Sequence, residues 1–377
     1  MKRSKQNETT HRKTQKRRKR VARSGARTQA EIIQDRFLKK GKSHPAKAYA
    51  EKVKEGSTLF YPFIKYQDIG RVPAGGRLVE EWYWSEIVPL FPRFRKGKGK
   101  LPKSFHFWDH AYLMDYFGLR AWEFGNWLTN EDRMNYVCGS GIALYDMRSV
   151  LQFPTPQMGL QGMVSLAIGA RGKSSASAHF EPHTFAINLT RYSDNPGPKA
   201  MHYNPFLKKY PKVVRFLRMG GVGSLAHEYG HALDYFFGGF VDQDAEHFAL
   251  TGGRSVRTRP DHELMKKKTL RGYTEKLIHN IIWETDTKQS RYYSELRALL
   301  KEKKIKSNYY YRRNELFARF FEQYIQFKLK QKGLQNRLLH KPKYDNVVYL
   351  PQKHLEKLVP IMDKLVAQMR VYLKKQQ

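Results

Sequence analysis

Residues 224–237, SLAHEYGHALDYFF, constrain this chain more than any other segment. Apolar residues recur there at helical spacing, Ser224 predicts an N-cap, and Gly238 with Gly239 predicts the stop. Within that helix His227 and His231 stand four residues apart, so both imidazoles lie on one face, one turn above the other. The pattern His-Glu-x-x-His on a helix points to a Zn²⁺ centre with His227 and His231 as ligands. Glu228 then sits beside the ion without ligating it, placed to take a proton from water and deliver it to a leaving amine. The rival reading is two polar residues and a surface charge on a partly buried helix face.

A third ligand separates these readings. Glu315 opens the segment NELFARFFEQYIQFKL, whose Leu316, Phe317, Phe320, Phe321 and Tyr324 form a core-facing stripe that pins the helix. Glu322 lies seven residues on, on roughly the same face; it is the alternate ligand, or an acceptor for a ligating histidine. Asp234 stands seven residues after His227, placed either to accept an imidazole N–H or to sit as a surface acid at the helix C-terminus. Tyr309, Tyr310 and Tyr311 precede the Glu315 helix closely enough to supply an oxyanion donor, with His247 a further candidate. The segment around Ala186, Ile187 and Asn188 predicts a strand. As an edge strand beside the cleft it would receive an extended peptide by β-addition; as a core strand it would not. His179 and His183 flank a turn at Glu181 and Pro182, and the proposed trio leaves them outside the ligand set.

Charge constrains partners. Among 377 residues, 70 Lys and Arg face 34 Asp and Glu, a net +36 that predicts non-specific association with nucleic acid. The cluster Lys16, Arg17, Arg18, Lys19 and Arg20 is its densest point, in a region too poor in large apolar side chains to fold alone. The single cysteine, Cys138, excludes an intrachain disulfide and a Cys-rich zinc site. The N-terminal stretch has no apolar core of a secretory signal and no apolar run is long enough to span a bilayer, which predicts a soluble protein of the cell or particle interior, without a membrane partner.

The domain reading is a basic, disordered tail over 1–56, an aromatic-rich region over 57–104, and a part with a small sheet and the metal helix over 105–240. A basic helical insertion over 241–308 and helices over 309–377 complete it. Residues 105–151 read as helical, 164–168 and 184–190 as strands, and 274–283 and 290–304 as helices. The last helix is broken or restarted at Pro360.

Several blocks carry a more specific likeness. They are FGLRAWEFGNW from Phe117, LAIGARG from Leu166, AHFEP from Ala178, INLT from Ile187, GSLAHEYGHALD from Gly223 and ELFARFFE from Glu315. In this order, from about residue 105 onward, they resemble the zincin-like large polyvalent protein-associated domain 1 family, typical of phages and conjugative elements. The resemblance implies an α+β, gluzincin-like metallopeptidase fold, with histidine ligands at His227 and His231, the base at Glu228 and the acidic ligand at Glu315. This chain departs from the pattern at Arg312-Arg313-Asn314, where a Thr-Pro lead-in is expected, and in its long basic stretch before Glu315.

The expectation is a zinc metallopeptidase of a phage or mobile element, acting on a protein or peptide and associated with nucleic acid, in a bacterial host cytoplasm or a phage particle. The alternative is a non-enzymatic DNA-binding protein of the virion interior or packaging apparatus. Self-processing of a precursor is the third reading.

Overall fold

The computed structural model describes residues 60–61, 95–97, 99–124, 130–170, 178–189, 223–242, 248–305, 307–341, 343–344 and 347–375. The tail over 1–56, with Lys16, Arg17, Arg18, Lys19 and Arg20, and also His247, lie outside them.

Short apolar segments bounded by turn residues build the principal sheet. Its strands are β1 (Phe60–Tyr61), β3 (Ala121–Phe124), β4 (Ser165–Ile168), β5 (Ala178–Glu181) and β6 (Ala186–Leu189), in the order β1-β3-β4-β6-β5. β3, β4 and β6 run parallel, while β1 and β5 are antiparallel to their neighbours. Every residue of β4 and β6 is buried, as expected of strands covered on both faces. A second ribbon pairs β2 (Arg95–Gly97) with β7 (Leu334–Asn336).

The helices are α1 (His110–Phe117), α2 (Asn130–Leu151), α3 (Leu225–Phe236), α4 (His262–Lys266), α5 (Leu270–Ile282), α6 (Arg291–Glu302), α7 (Arg313–Gln331) and α8 (Gln352–Lys374). With the strands they make an α+β architecture around one continuous apolar core. The strands expected over 164–168 and 184–190 and the helices expected over 274–283 and 290–304 all form, shifted by a few residues.

Three sequence readings are corrected. The region from 105 to 151 is not wholly helical: α1 stops at Gly118, whose φ of 65° permits a left-handed cap, and β3 follows. A side chain at Gly118 would strike the Pro156 carbonyl oxygen at 2.0 Å, so this glycine also lets the chain pass the 155–159 turn. Gly238 and Gly239 do not end the metal helix; the chain continues through a π turn over Phe237–Val241. A Cβ on Gly238 would lie 2.3 Å from Leu250 N, so that glycine serves close backbone approach. Pro360 neither breaks nor restarts α8, which runs through it. Pro360 has no N–H to donate to the Glu356 carbonyl, and both residues are exposed, so that carbonyl lies on the solvated side of the helix.

The stretch expected as an insertion packs into the body. α5 lies against α8, and Ile278, Ile281 and Ile282 enter the common core. Among the described residues no helix is long and apolar enough to cross a membrane.

Candidate metal centre

α3 and α7 cross closely, and the crossing makes the centre. Gly230 permits it: a Cβ there would lie 3.2 Å from Phe321 Cβ and 3.3 Å from Ala318 Cα. Tyr229 anchors α3 from the other side through its hydroxyl, which donates to the Met158 carbonyl at 2.8 Å. Ser224 occupies the N-cap position but its side chain caps nothing. Instead the carbonyls of Leu338 and Leu339, just beyond β7, accept from the amides of Gly223, Leu225 and Ala226 at 3.0–3.2 Å. The start of the histidine helix is therefore held by the chain that follows the glutamate helix.

At the crossing Glu315 faces both histidines. Its Oε2 lies 3.5 Å from Nε2 of His227 and its Oε1 lies 3.5 Å from Nε2 of His231. Donor atoms of the three residues all fall within 4.8 Å of one another. The two rings stand nearly perpendicular, 81° apart. Oε2 of Glu315 and Nδ1 of His231 are buried and without a hydrogen bond. A buried acceptor without a proton is costly unless something else neutralises it. Two imidazole nitrogens and one carboxylate aimed at a common point are a donor set that suits zinc.

Electrostatics follow from this grouping. Burial opposes a charged His227, but the carboxylates of Glu315, Glu322 and Glu228 around it outweigh that and push the group up to about 10. Burial would raise the Glu315 carboxyl; His231 and His227 hold it well below the ordinary carboxylate range. Glu228 shows the opposite balance, its carboxyl raised by burial while the two histidines pull it back. A cluster that holds protons between carboxylate and imidazole answers equally to a cation, which must displace them to bind.

Glu322 stands behind His227. Its Oε2 is 3.6 Å from Nδ1 of His227, and Tyr344 and Tyr349 donate to its two oxygens at 2.8 and 3.3 Å. Of the two roles weighed for it, the geometry matches the acceptor behind a histidine. Asp234 does not take that role. Its carboxylate accepts from Thr251 N at 2.9 Å and from Thr251 Oγ1 at 2.7 Å, so it fastens α3 to the following loop. Nδ1 of His231 is left without the partner expected for it.

The three tyrosines diverge on one short turn. Tyr309 is 39% exposed, yet its hydroxyl is set against Glu315 within electrostatic reach of Glu228, and burial with these two carboxylates raises it far above its ordinary value. Tyr310 stacks against Arg319, which also donates to its carbonyl. Tyr311 turns away to pack on Tyr293.

β6, with Ala186, Ile187 and Asn188, is not an edge strand. It lies between β4 and β5, and β5 holds the edge among the described residues. Of the two positions left open by the sequence, edge and core, β6 takes the core, a choice that depends on long-range pairing. β5 packs on α3 and carries His179, within electrostatic reach of Glu228. His179 also lies 3.3 Å from Glu181 on the same strand. His179 and His183 stay outside the donor cluster.

Sequence reading missed what holds Glu315. The backbone amides of Arg313 and Asn314, the first of α7, donate to the carbonyls of Ser255 and Gly253 at 2.8 and 3.1 Å. The buried Arg313 guanidinium pairs with Glu275 of α5 and donates to the Thr251 carbonyl at 2.6 Å. Glu275 also accepts from Arg257 and from Asp261 N. The departure at Arg312-Arg313-Asn314 is thus a different fastening for the same helix start. The available signal was Glu275 itself, an acid on the face of α5 that also carries Thr274, Ile278 and Ile282.

Residues 301–373 match the model of the large polyvalent protein-associated domain 1 family. Over these residues the chain is similar to a large polyvalent protein-associated domain 1. The polyvalent protein-associated domain spans the tyrosine turn, α7, β7 and α8, and so includes Glu315 and Glu322 but not α3. It covers less than the reach from residue 105 that the sequence blocks suggest. Comparison with curated proteins and with solved structures finds no match.

Proposed function

We propose that this chain is a zinc-dependent peptidase of a phage or mobile element, built as a gluzincin-like fold. The observation that carries the reading is the convergence of His227, His231 and Glu315, with Glu228 buried beside them on the same helix. The polyvalent protein-associated domain supports the mobile-element setting.

His227, His231 and Glu315 would hold the ion. A zinc ion so held supplies Lewis acidity and lowers the pKa of water at the position the three ligands leave open. Glu228 accepts the proton of the attacking water and returns it to the leaving amine, a task suited to a carboxyl raised above its ordinary range. The Tyr309 hydroxyl donates to the substrate oxygen as negative charge develops there. β5, whose outer edge pairs with no strand among the described residues, is the better candidate to receive an extended substrate backbone. Nucleic-acid association is proposed for the surplus of +36, with Lys16, Arg17, Arg18, Lys19 and Arg20 at its centre.

The test is metal content and proteolysis of a mixed protein substrate. Wild type is expected to bind one zinc per chain and to cleave. Glu228→Gln keeps the metal and loses roughly 10²–10⁴-fold in rate. A wild-type protein that binds no metal sinks the reading.

A further inference from the structure

We propose that the groove between α6 and the tyrosine turn binds an acidic segment of the peptide substrate, next to the metal centre. The proposal rests on the peptidase reading and names its substrate class. The groove encloses about 760 Å³, room for several side chains. Tyr293 and Tyr311 form its floor, while Arg297 and Lys301 on α6 stand on its wall as exposed cations. Val256 and Ile305, which are 44% and 37% exposed, add an apolar rim. Among the described residues, no carboxylate lines it.

Location ties this groove to catalysis. The turn that brings Tyr309 to Glu315 also gives Asn308 and Tyr311 to the groove. A chain lying across that turn reaches both places. Two exposed cations, phenol and amide groups and an apolar rim complement Glu or Asp beside an apolar residue. A polynucleotide fits less well. Its affinity comes from neutralising many phosphates in a row, and its bases need open aromatic faces, whereas this groove has two cations and Tyr293 is only 3% exposed.

The test measures binding in the Glu228→Gln full-length protein, so that no turnover is needed and failure of catalysis is distinguishable from failure of the groove. The probes are a fluorescein-labelled dodecapeptide of alternating Glu and Leu, its Gln and Leu counterpart, and a labelled dodecamer of deoxythymidine. Arg297→Gln/Lys301→Gln is compared with Lys353→Gln/Lys364→Gln, which removes equal charge from exposed positions of α8 outside the groove. The groove variant is expected to bind the Glu peptide about tenfold more weakly, a loss the control does not share, with DNA binding unchanged. Equal loss in both double variants overturns the proposal, since bulk charge then explains the binding. So does a groove variant that loses DNA rather than peptide, or a Glu228→Gln parent that does not prefer the Glu to the Gln peptide.

Discussion

The two halves of the candidate metal centre are held in different ways. His227 and His231 share one helix, and their separation is fixed by helical geometry once α3 forms. Glu315 reaches them from another helix, and its place is set by the 251–261 loop and by Glu275 on α5, which meet at Arg313. The first half is local and robust; the second depends on residues remote in the chain. A site of this kind is lost by loosening its distant half, with the recognisable motif intact.

The sharpest way to break the contrast is Glu275→Ala. It leaves Arg313 buried and unpaired, and the expected cost is about 3–5 kcal/mol in chemical denaturation. Loss of stability alone does not prove positioning. The companion variant, Arg313→Met/Glu275→Leu, replaces the pair by apolar groups and should regain most of the stability. If the ion pair orients the start of α7, this folded variant still binds zinc more weakly than wild type in a competition titration. Wild-type affinity would show that the Ser255 and Gly253 carbonyls suffice.

The same contrast explains what was legible in the sequence. The metal helix, the Glu315 helix, the β4 and β6 strands and the helices around 270–302 follow from periodicity over neighbouring residues. Glu315 was readable because a core-facing stripe marks its helix. What local spacing left open or misplaced was pairing at a distance. β5 rather than β6 holds the edge, β3 interrupts an apparently helical stretch, and Asp234 turns to Thr251 instead of a histidine. Each depends on which segments meet, and a carboxylate seven residues from a ligand has no spacing that tells a histidine partner from a loop hydroxyl.

Asp234 offers a smaller test, because it lies on the local half yet bonds the remote one. Burial raises its carboxyl from 3.8 to about 6, against the hydrogen bonds from Thr251. The folded protein therefore holds this proton more tightly than the unfolded chain. The stability that protonation contributes is fully present below pH 3.8 and is lost as pH rises through about 6. Asp234→Asn keeps the shape without titrating. The stability of wild type relative to this variant should fall by about 3 kcal/mol across that window, measured by urea unfolding at several pH values. A difference that does not change with pH would mean that Asp234 is not held in a raised state.

Glu322→Gln gives the smallest effect and sharpens the comparison from the local side. Its Oε2 faces Nδ1 of His227, so it acts on a ligand of the motif rather than on the placement of α7. A carboxylate behind a ligating imidazole fixes the tautomer and raises the basicity of the opposite nitrogen, and losing it weakens metal binding by roughly 10–100-fold. Tyr344 and Tyr349 can donate to the remaining amide oxygen, so the fold should tolerate the change. Zinc affinity is then expected to drop while the unfolding midpoint of the metal-free protein stays close to wild type. A fall in that midpoint as large as for Glu275→Ala would assign Glu322 to the framework, and the distinction between a local and a remote half would no longer hold.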